Sequence, residues 1–284
     1  MRIGAYVEGF HNPEEWAQMH LDREYGAAYW PWDAVDHTAD DAAIEAYLAA
    51  AKRNGLLIAE VGAWRNILNP DASLNEENMN YVTGQLKLAD RVGARCCVDI
   101  AGTLNAREWD GPHPENLTDR IFGVTVEAIQ QIIDSASPKN TYYTVEPMPW
   151  LFPYDIPSMH RLIKAVNRSA FAVHVDMCNM INSFDKVYNS GELTRAFFRE
   201  FAPLIRSVHA KDTRIDDTLT IFIAEAIPGQ GVFDYETLLT ECSKLDADLP
   251  VMAEHLHSPA EYEQATDYIK NKARQLGLHF ITGR

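Results

Sequence analysis

Eight times along the 284-residue chain a short apolar run is followed by a segment with helical periodicity, and no linker, low-complexity tract or charge block interrupts the series. Strands separated by helices pair in parallel, because each helix carries the chain back across the sheet. Eight such units in this length fit closure into a (β/α)8 barrel, which takes about 250 residues. The expected fold class is therefore α/β, a single TIM barrel spanning residues 1–284. The alternative is an open doubly wound sheet. It is disfavoured because the first strand, read over Ile3–Glu8, lacks a glycine-rich phosphate loop leading into the next helix.

Start and stop signals place the helices. Asn12-Pro13-Glu14-Glu15 supplies an N-cap, a proline at the first helical position and a glutamate three residues after the cap. Ser258-Pro259-Ala260-Glu261 repeats that signal near the C-terminus. Thr38 reads as the cap of a helix with Ile44, Tyr47, Leu48 and Ala51 on one face, stopped by Gly55. Ser73-Leu-Asn-Glu76 reads as a capping box, and Asp234 as the cap of the seventh helix. Two stretches read as long loops, Gly102–Asn116, with the placing of a lid, and Met177–Ser190.

Four successive strands end on chemistry. Thr141-Tyr-Tyr-Thr-Val145 leads into Glu146 before Pro147 and Pro149 break the chain, Phe171-Ala-Val-His-Val leads into Asp176, Ile205-Arg-Ser-Val into His209, and Pro250-Val-Met-Ala into Glu254. In a barrel these residues share the C-terminal face, where active sites form, on strands about 4.8 Å apart. Carboxylates brought this close repel unless a cation neutralises them. Three carboxylates and an imidazole suit one divalent ion, with Mn2+ or Mg2+ favoured by the oxygen-rich set and Co2+ or Zn2+ the alternatives. Lys211 shares strand parity with His209, so it is a candidate to enter the barrel mouth, where it would bind a carboxylate or polarise a carbonyl; the competing reading is a solvated lysine at a loop start. Trp64, Tyr6 and Glu8, at the ends of the third and first strands, are candidates for a substrate wall, against plain packing. His174 has the parity of Asp176 one layer deeper and reads as a satisfied core histidine. His255 should alternate away from the site. Pro228-Gly-Gln-Gly231 reads as a tight turn rather than a phosphate loop.

Composition narrows the partners. The net charge of −16 repels phosphate backbones and anionic membranes, which argues against nucleic acid and membrane surfaces. No apolar run reaches the ~18 residues of a membrane span, and no signal peptide precedes the first strand, so the expected location is cytoplasmic. The four cysteines, Cys96, Cys97, Cys178 and Cys242, form no CxxC pair and read as reduced thiols. The expected partner is a small molecule, and a homo-oligomer is compatible with the sequence.

The ordered set Glu146, Asp176, His209 and Glu254, with His209-Ala-Lys-Asp212 and Pro228-Gly-Gln-Gly231 leading to Asp234, resembles the xylose isomerase-like superfamily over nearly the whole chain. The likeness is greatest to the sugar isomerase/epimerase branch, which includes ketose 3-epimerases, hydroxypyruvate isomerases and inosose dehydratases. The resemblance implies a metal on those four residues. It also implies that Glu146 and Glu254 act as acid and base on opposite sides of a carbon next to a carbonyl, through an enediolate that the metal stabilises. The substrate would be an unphosphorylated sugar or a related polyol acid. Arg214 matches the region where epimerases place a substrate-binding arginine. Two departures matter. Asn179 stands where the family often has a histidine, so it can bind a hydroxyl but cannot carry a proton at neutral pH. Residues Pro147–Phe152 also lack the substrate-binding carboxylate of ketose 3-epimerases, so tagatose or psicose epimerisation is not implied. The alternatives are a metal-dependent lyase of the inosose dehydratase type and a barrel that only binds sugar. A nuclease of the endonuclease IV type would need histidines where Trp64, Asp99 and Asn179 stand.

Overall fold

The structure, a computed structural model, describes residues 1–284. Its strands in chain order are β1 (Arg2–Ala5), β2 (Ala27–Tyr29), β3 (Leu57–Gly62), β4 (Cys96–Asp99), β5 (Tyr143–Val145), β6 (Phe171–Asp176), β7 (Ile205–Ala210), β8 (Asp212–Asp216), β9 (Phe222–Ala226) and β10 (Pro250–Ala253). Eight of them form one sheet in the order β1-β10-β7-β6-β5-β4-β3-β2, a nearly closed barrel of parallel strands. Strands β8 and β9 pair antiparallel as a separate hairpin. The helices are α1 (Pro13–Asp22), α2 (Asp41–Arg53), α3 (Ala72–Val92), α4 (Asp119–Ala136), α5 (Ile156–Val166), α6 (Phe184–Tyr188), α7 (Ser190–Phe201), α8 (Tyr235–Ser243) and α9 (Pro259–Gln275). No helix is long and apolar enough to cross a membrane.

Close contacts gather into two units, one of Met1–Tyr29, Asp41–Ala59 and Asp176–Arg284, the other of Trp30–Asp40 and Glu60–Val175. Two of the four divisions fall inside strands, β3 and β6.

In the first unit the barrel closes on a glycine. The Gly26 N–H donates to the Ile3 carbonyl at 2.9 Å, and a side chain at Gly4 would collide with the Ala27 carbonyl and the Met252 methyl. Backbone therefore meets backbone where β1 approaches β2, with Ala27, Ala59 and Met252 packed beside the seam. Outside it, α1 starts as expected, the Asn12 side chain accepting from the Glu15 N–H at 2.9 Å. It lays Trp16 against Tyr47 of α2, with ring centroids 5.6 Å apart. His20, fully buried, has its Nδ1 2.8 Å from the Trp16 carbonyl oxygen. Burial pulls the His20 pKa down from 6.5 to about 4, so the imidazole is neutral and Nδ1–H donates.

In the second unit α3 and α4 bury Val82, Leu86, Ile129 and Ile132. Two expected caps are wrong. Asp71 caps α3, taking the Ser73 and Leu74 N–H groups at 2.9 and 3.1 Å, so Ser73 lies within the first turn. The carboxylate is preferred because it satisfies two free donors beside the positive end of the helix dipole. Thr38 is spent on Asp36, its hydroxyl donating at 2.6 Å, and α2 begins later, at Asp41. Residues Met177–Ser190 are not an open loop: they hold a one-turn 3₁₀ segment, Cys178–Met180, and α6. All four cysteines are free and buried.

Gly4→Ala should lose about 1–3 kcal/mol of stability to overpacking at the seam, measured by urea unfolding; an unchanged midpoint would show that the seam can give. Between pH 6.5 and about 4 the unfolded chain binds a proton at His20 that the folded chain refuses, so acidification removes stability. The loss attributable to His20 from pH 7 to 4.5 should be about 2–3 kcal/mol, and His20→Gln should shed that part of the pH dependence. Equal pH dependence in the two proteins would mean that His20 is charged in the fold.

Candidate functional site

At the end of β7 the strand alternation sorts four consecutive residues. His209 and Lys211 turn to one side and Asp212 to the other. Asp212 organises the turn that follows: its carboxylate accepts from the N–H groups of Gly229, Gly231 and Phe233 at 2.9, 3.1 and 2.9 Å, and from its neighbour Thr213 at 2.8 Å. Pro228-Gly-Gln-Gly231 is thus a turn built around a protein carboxylate, which holds the donors a phosphate would need. Asp234 caps α8, as expected.

On the other side lies the charge cluster. Lys211 Nζ is 2.9 Å from Asp176 Oδ2 and 3.0 Å from Glu254 Oε2, and its side chain is only 2 % exposed. His209 Nδ1 is 2.8 Å from the same Glu254 oxygen. The Asn179 N–H donates to Asp176 Oδ1 at 2.9 Å, so Asn179 supports Asp176 through its backbone. Tyr29 packs edge-on to the His209 ring at 6.1 Å. The register explains the convergence: Met252 of β10 sits opposite His209, and Glu254 follows two residues later with the same parity. On β5, Val145 pairs with Val173 of β6, and Glu146 comes next, buried, its N–H donating to the Asp99 carbonyl at 2.8 Å.

Asp176, His209 and Glu254 each offer a ligand atom, and these atoms all lie within 4.8 Å of one another. Two carboxylates at that distance repel by roughly 3 kcal/mol at an effective dielectric of about 20. Lys211 brings one positive charge to Asp176 and Glu254, so the pair keeps an uncompensated negative charge. A divalent cation would offset that charge, and carboxylate oxygens with an imidazole nitrogen are ligands such an ion accepts. The donor set therefore fits the group the sequence implies.

The remaining expected residues divide. Arg214 sits on β8, half-exposed, bonded to Asp216 Oδ1 and the Glu225 carbonyl, and it lines the same cavity as Lys211 and Glu254. That cavity measures about 240 Å3. Tyr6 and Glu8 line a neighbouring one with Arg23 and Tyr262, and His257 borders both. Trp64 has a left-handed backbone (φ 41°) and lies in the second unit, its indole lying against Gly62. Asp99 there accepts from the Arg65 N–H at 2.9 Å and the Tyr143 hydroxyl at 3.3 Å, and burial pushes its pKa up to about 7. Asn66 ties Leu68 to Thr103, also in a scaffolding role.

His255 does not alternate away. Its φ of 58° breaks the strand pattern and brings Nε2 within 3.5 Å of Lys211 Nζ, while Nδ1 lies 2.9 Å from Glu225 Oε1. Burial works to lower the His255 pKa, but the Glu225 hydrogen bond and the Glu254 charge outweigh it, so the ring holds its proton above the ordinary histidine value. Two residues escaped the sequence reading. Glu225 stands on β9, and the run Ile221-Phe-Ile-Ala224 was the available signal for that strand. Glu60, a lone carboxylate in the apolar run of β3, meets His174 at 3.2 Å with both side chains fully buried, so the core histidine is satisfied by an acid.

A family model described as xylose isomerase-like TIM barrel matches residues 23–272. No curated protein matches the chain. Among solved structures, a D-psicose 3-epimerase in the presence of D-fructose aligns with TM-score 0.71 at 14% identity, covering 98% of this chain and 100% of that one. Endonuclease IV from Thermus thermophilus aligns with TM-score 0.71 at 15% identity, covering 97% and 100%. A xylose isomerase-like TIM barrel protein from Mycobacterium smegmatis in complex with magnesium aligns with TM-score 0.67 at 15% identity, covering 96% and 97%. At these identities the likeness carries the fold alone.

Asp212→Ala should strip the acceptor from four N–H groups and cost about 3 kcal/mol. Limited proteolysis should then cut within residues 228–233, and an intact turn in the variant would assign its order to other contacts.

Proposed function

Because the chain belongs to the xylose isomerase-like TIM barrel family, we propose that it is a divalent-metal-dependent isomerase or epimerase acting on a small sugar or polyol-derived carbonyl compound. The observation that carries this reading is the difference between Asp176 and Glu254. Both are held by Lys211, but the Asp176 side chain is fully buried while that of Glu254 is 15 % exposed and lines the cavity. A base must reach its substrate. Glu254 lines the cavity where a substrate would stand, and Asp176 is left to hold the ion. At about 240 Å3 the cavity lies below the usual ~300–1,000 Å3 of organic ligand sites, which favours a compact substrate.

In this reading Glu146, Asp176, His209 and Glu254 hold the ion. Bound there, it supplies Lewis-acid polarisation of a substrate oxygen. Glu254 takes the proton from the carbon beside the carbonyl, and Glu146 returns one to the opposite face. Arg214, at the cavity wall, binds a substrate hydroxyl or carboxylate. Asn179 offers a hydrogen bond to a hydroxyl and carries no proton. Mn2+ or Mg2+ suits the oxygen-rich set.

One observation favours a second reading, a lyase. His255 Nε2 lies 3.8 Å from Glu254 Oε2 in the same cavity, and its pKa is raised above the ordinary histidine value. An acid so close to the base could protonate a departing hydroxyl as Glu254 takes the neighbouring carbon-bound proton, giving loss of water. The acidic surface and the compact cavity both speak against DNA as substrate.

Incubation with Mn2+ and a panel of ketoses, keto-acids and inososes in D2O should incorporate one deuterium per substrate, read by mass spectrometry. Glu254→Gln should slow exchange by at least 10³-fold, and EDTA should abolish it. Loss of 18 mass units, roughly one water, would select the lyase. No exchange and no product across the panel, with metal bound, would sink both readings.

A further inference from the structure

Lys211 makes its ion pairs with oxygens of the proposed ligand set itself. Its Nζ lies 2.9 Å from Asp176 Oδ2 and 3.0 Å from Glu254 Oε2, in a side chain that water barely reaches. A divalent ion draws such oxygens to about 2.0–2.2 Å. An ammonium keeping both contacts would then stand against a doubly charged cation with little solvent between them. The two cations compete for the same lone pairs.

The structure also offers the ammonium somewhere else to go. The Lys211 side chain borders the cavity that Glu225, Glu254 and His255 line. Its Nζ is 3.5 Å from His255 Nε2, and the far ring nitrogen lies 2.9 Å from Glu225 Oε1, so the Glu225 carboxylate, not the protonated ring, is what draws the ammonium. The backbone is fixed meanwhile, because the Tyr235 hydroxyl donates to the Lys211 carbonyl at 2.9 Å and Asp212 anchors the next residue. Only the flexible four-carbon stem has to turn.

We propose that Lys211 is the built-in counter-ion of the metal site: its ammonium holds Asp176 and Glu254 together until a divalent ion binds, then moves into the cavity towards Glu225. This rests on the metal-centre reading above. The exchange keeps part of the carboxylate charge compensated before the ion arrives, at the expense of affinity for it. It also makes the wall of the substrate cavity more positive once the ion is in place.

The test is calorimetric titration with Mn2+ alone, after removal of metal with EDTA, together with unfolding temperatures with and without Mn2+. Lys211→Met should bind one Mn2+ at least tenfold more tightly than the wild type, unfold at a lower temperature in EDTA, and gain more from Mn2+. Glu225→Gln should weaken Mn2+ binding several-fold in the wild type and leave it unchanged in Lys211→Met, because only a mobile ammonium needs that carboxylate. Equal or weaker binding by Lys211→Met overturns the exchange, and an equal effect of Glu225→Gln in both backgrounds overturns the destination. Should Lys211→Met fail to fold without metal, a crystal structure of the wild type with Mn2+ decides. Nζ beyond hydrogen-bond reach of Asp176 Oδ2 supports the exchange, and Nζ still on both carboxylates beside a bound ion refutes it. Failure of every folded protein to bind Mn2+ removes the metal-centre reading, and this inference with it.

Discussion

Charge balance in a buried space governs this molecule. Parallel strands deliver their end residues to one face, and here they deliver acids. Asp176 has no exposure and Glu146 almost none, so water cannot screen them. A protein cation must do part of that work, and Lys211 is the one in contact with both Asp176 and Glu254. The same logic recurs deeper in the second unit, where Glu60 meets His174, and farther out, where Glu225 meets His255. Acid and base come in pairs because a lone buried charge costs several kcal/mol.

Much of the fold was legible because its signals are local. Alternating apolar runs and helical periodicity gave the order of the eight barrel strands, and Asn12, Asp234 and Ser258 marked helix starts through side chains that satisfy free N–H groups. The misplaced caps share one cause. Ser73 and Thr38 each had an aspartate two residues upstream, and a carboxylate outcompetes a hydroxyl for backbone donors and for hydroxyls alike. The β8–β9 hairpin was missed because it falls between the seventh and eighth barrel strands, where the eight-unit pattern leaves no place for another strand.

The site was legible to the extent that strand parity holds. Parity placed His209 and Lys211 on one side and predicted the ends of β5, β6 and β10. It failed at His255, whose left-handed backbone reverses the alternation, and no residue type at that position advertises the reversal. Tyr6 and Glu8 illustrate another limit. Sequence places them at a strand end, but which of two neighbouring cavities they line depends on the loop after β10 and the start of α9, which supply His257 and Tyr262.

The hairpin has an unusual tether. A single carboxylate, Asp212, begins its first strand and also grips the Gly229–Phe233 turn into which its second strand runs. Entry and exit are thereby bolted to one point, next to Lys211. The ribbon beyond that bolt ends in the exposed Leu219 and Ile221, but its second strand also carries Glu225, 2.9 Å from His255. Only the tip is a cassette: a longer or shorter turn there leaves the two paired strands, and Glu225 with them, in register.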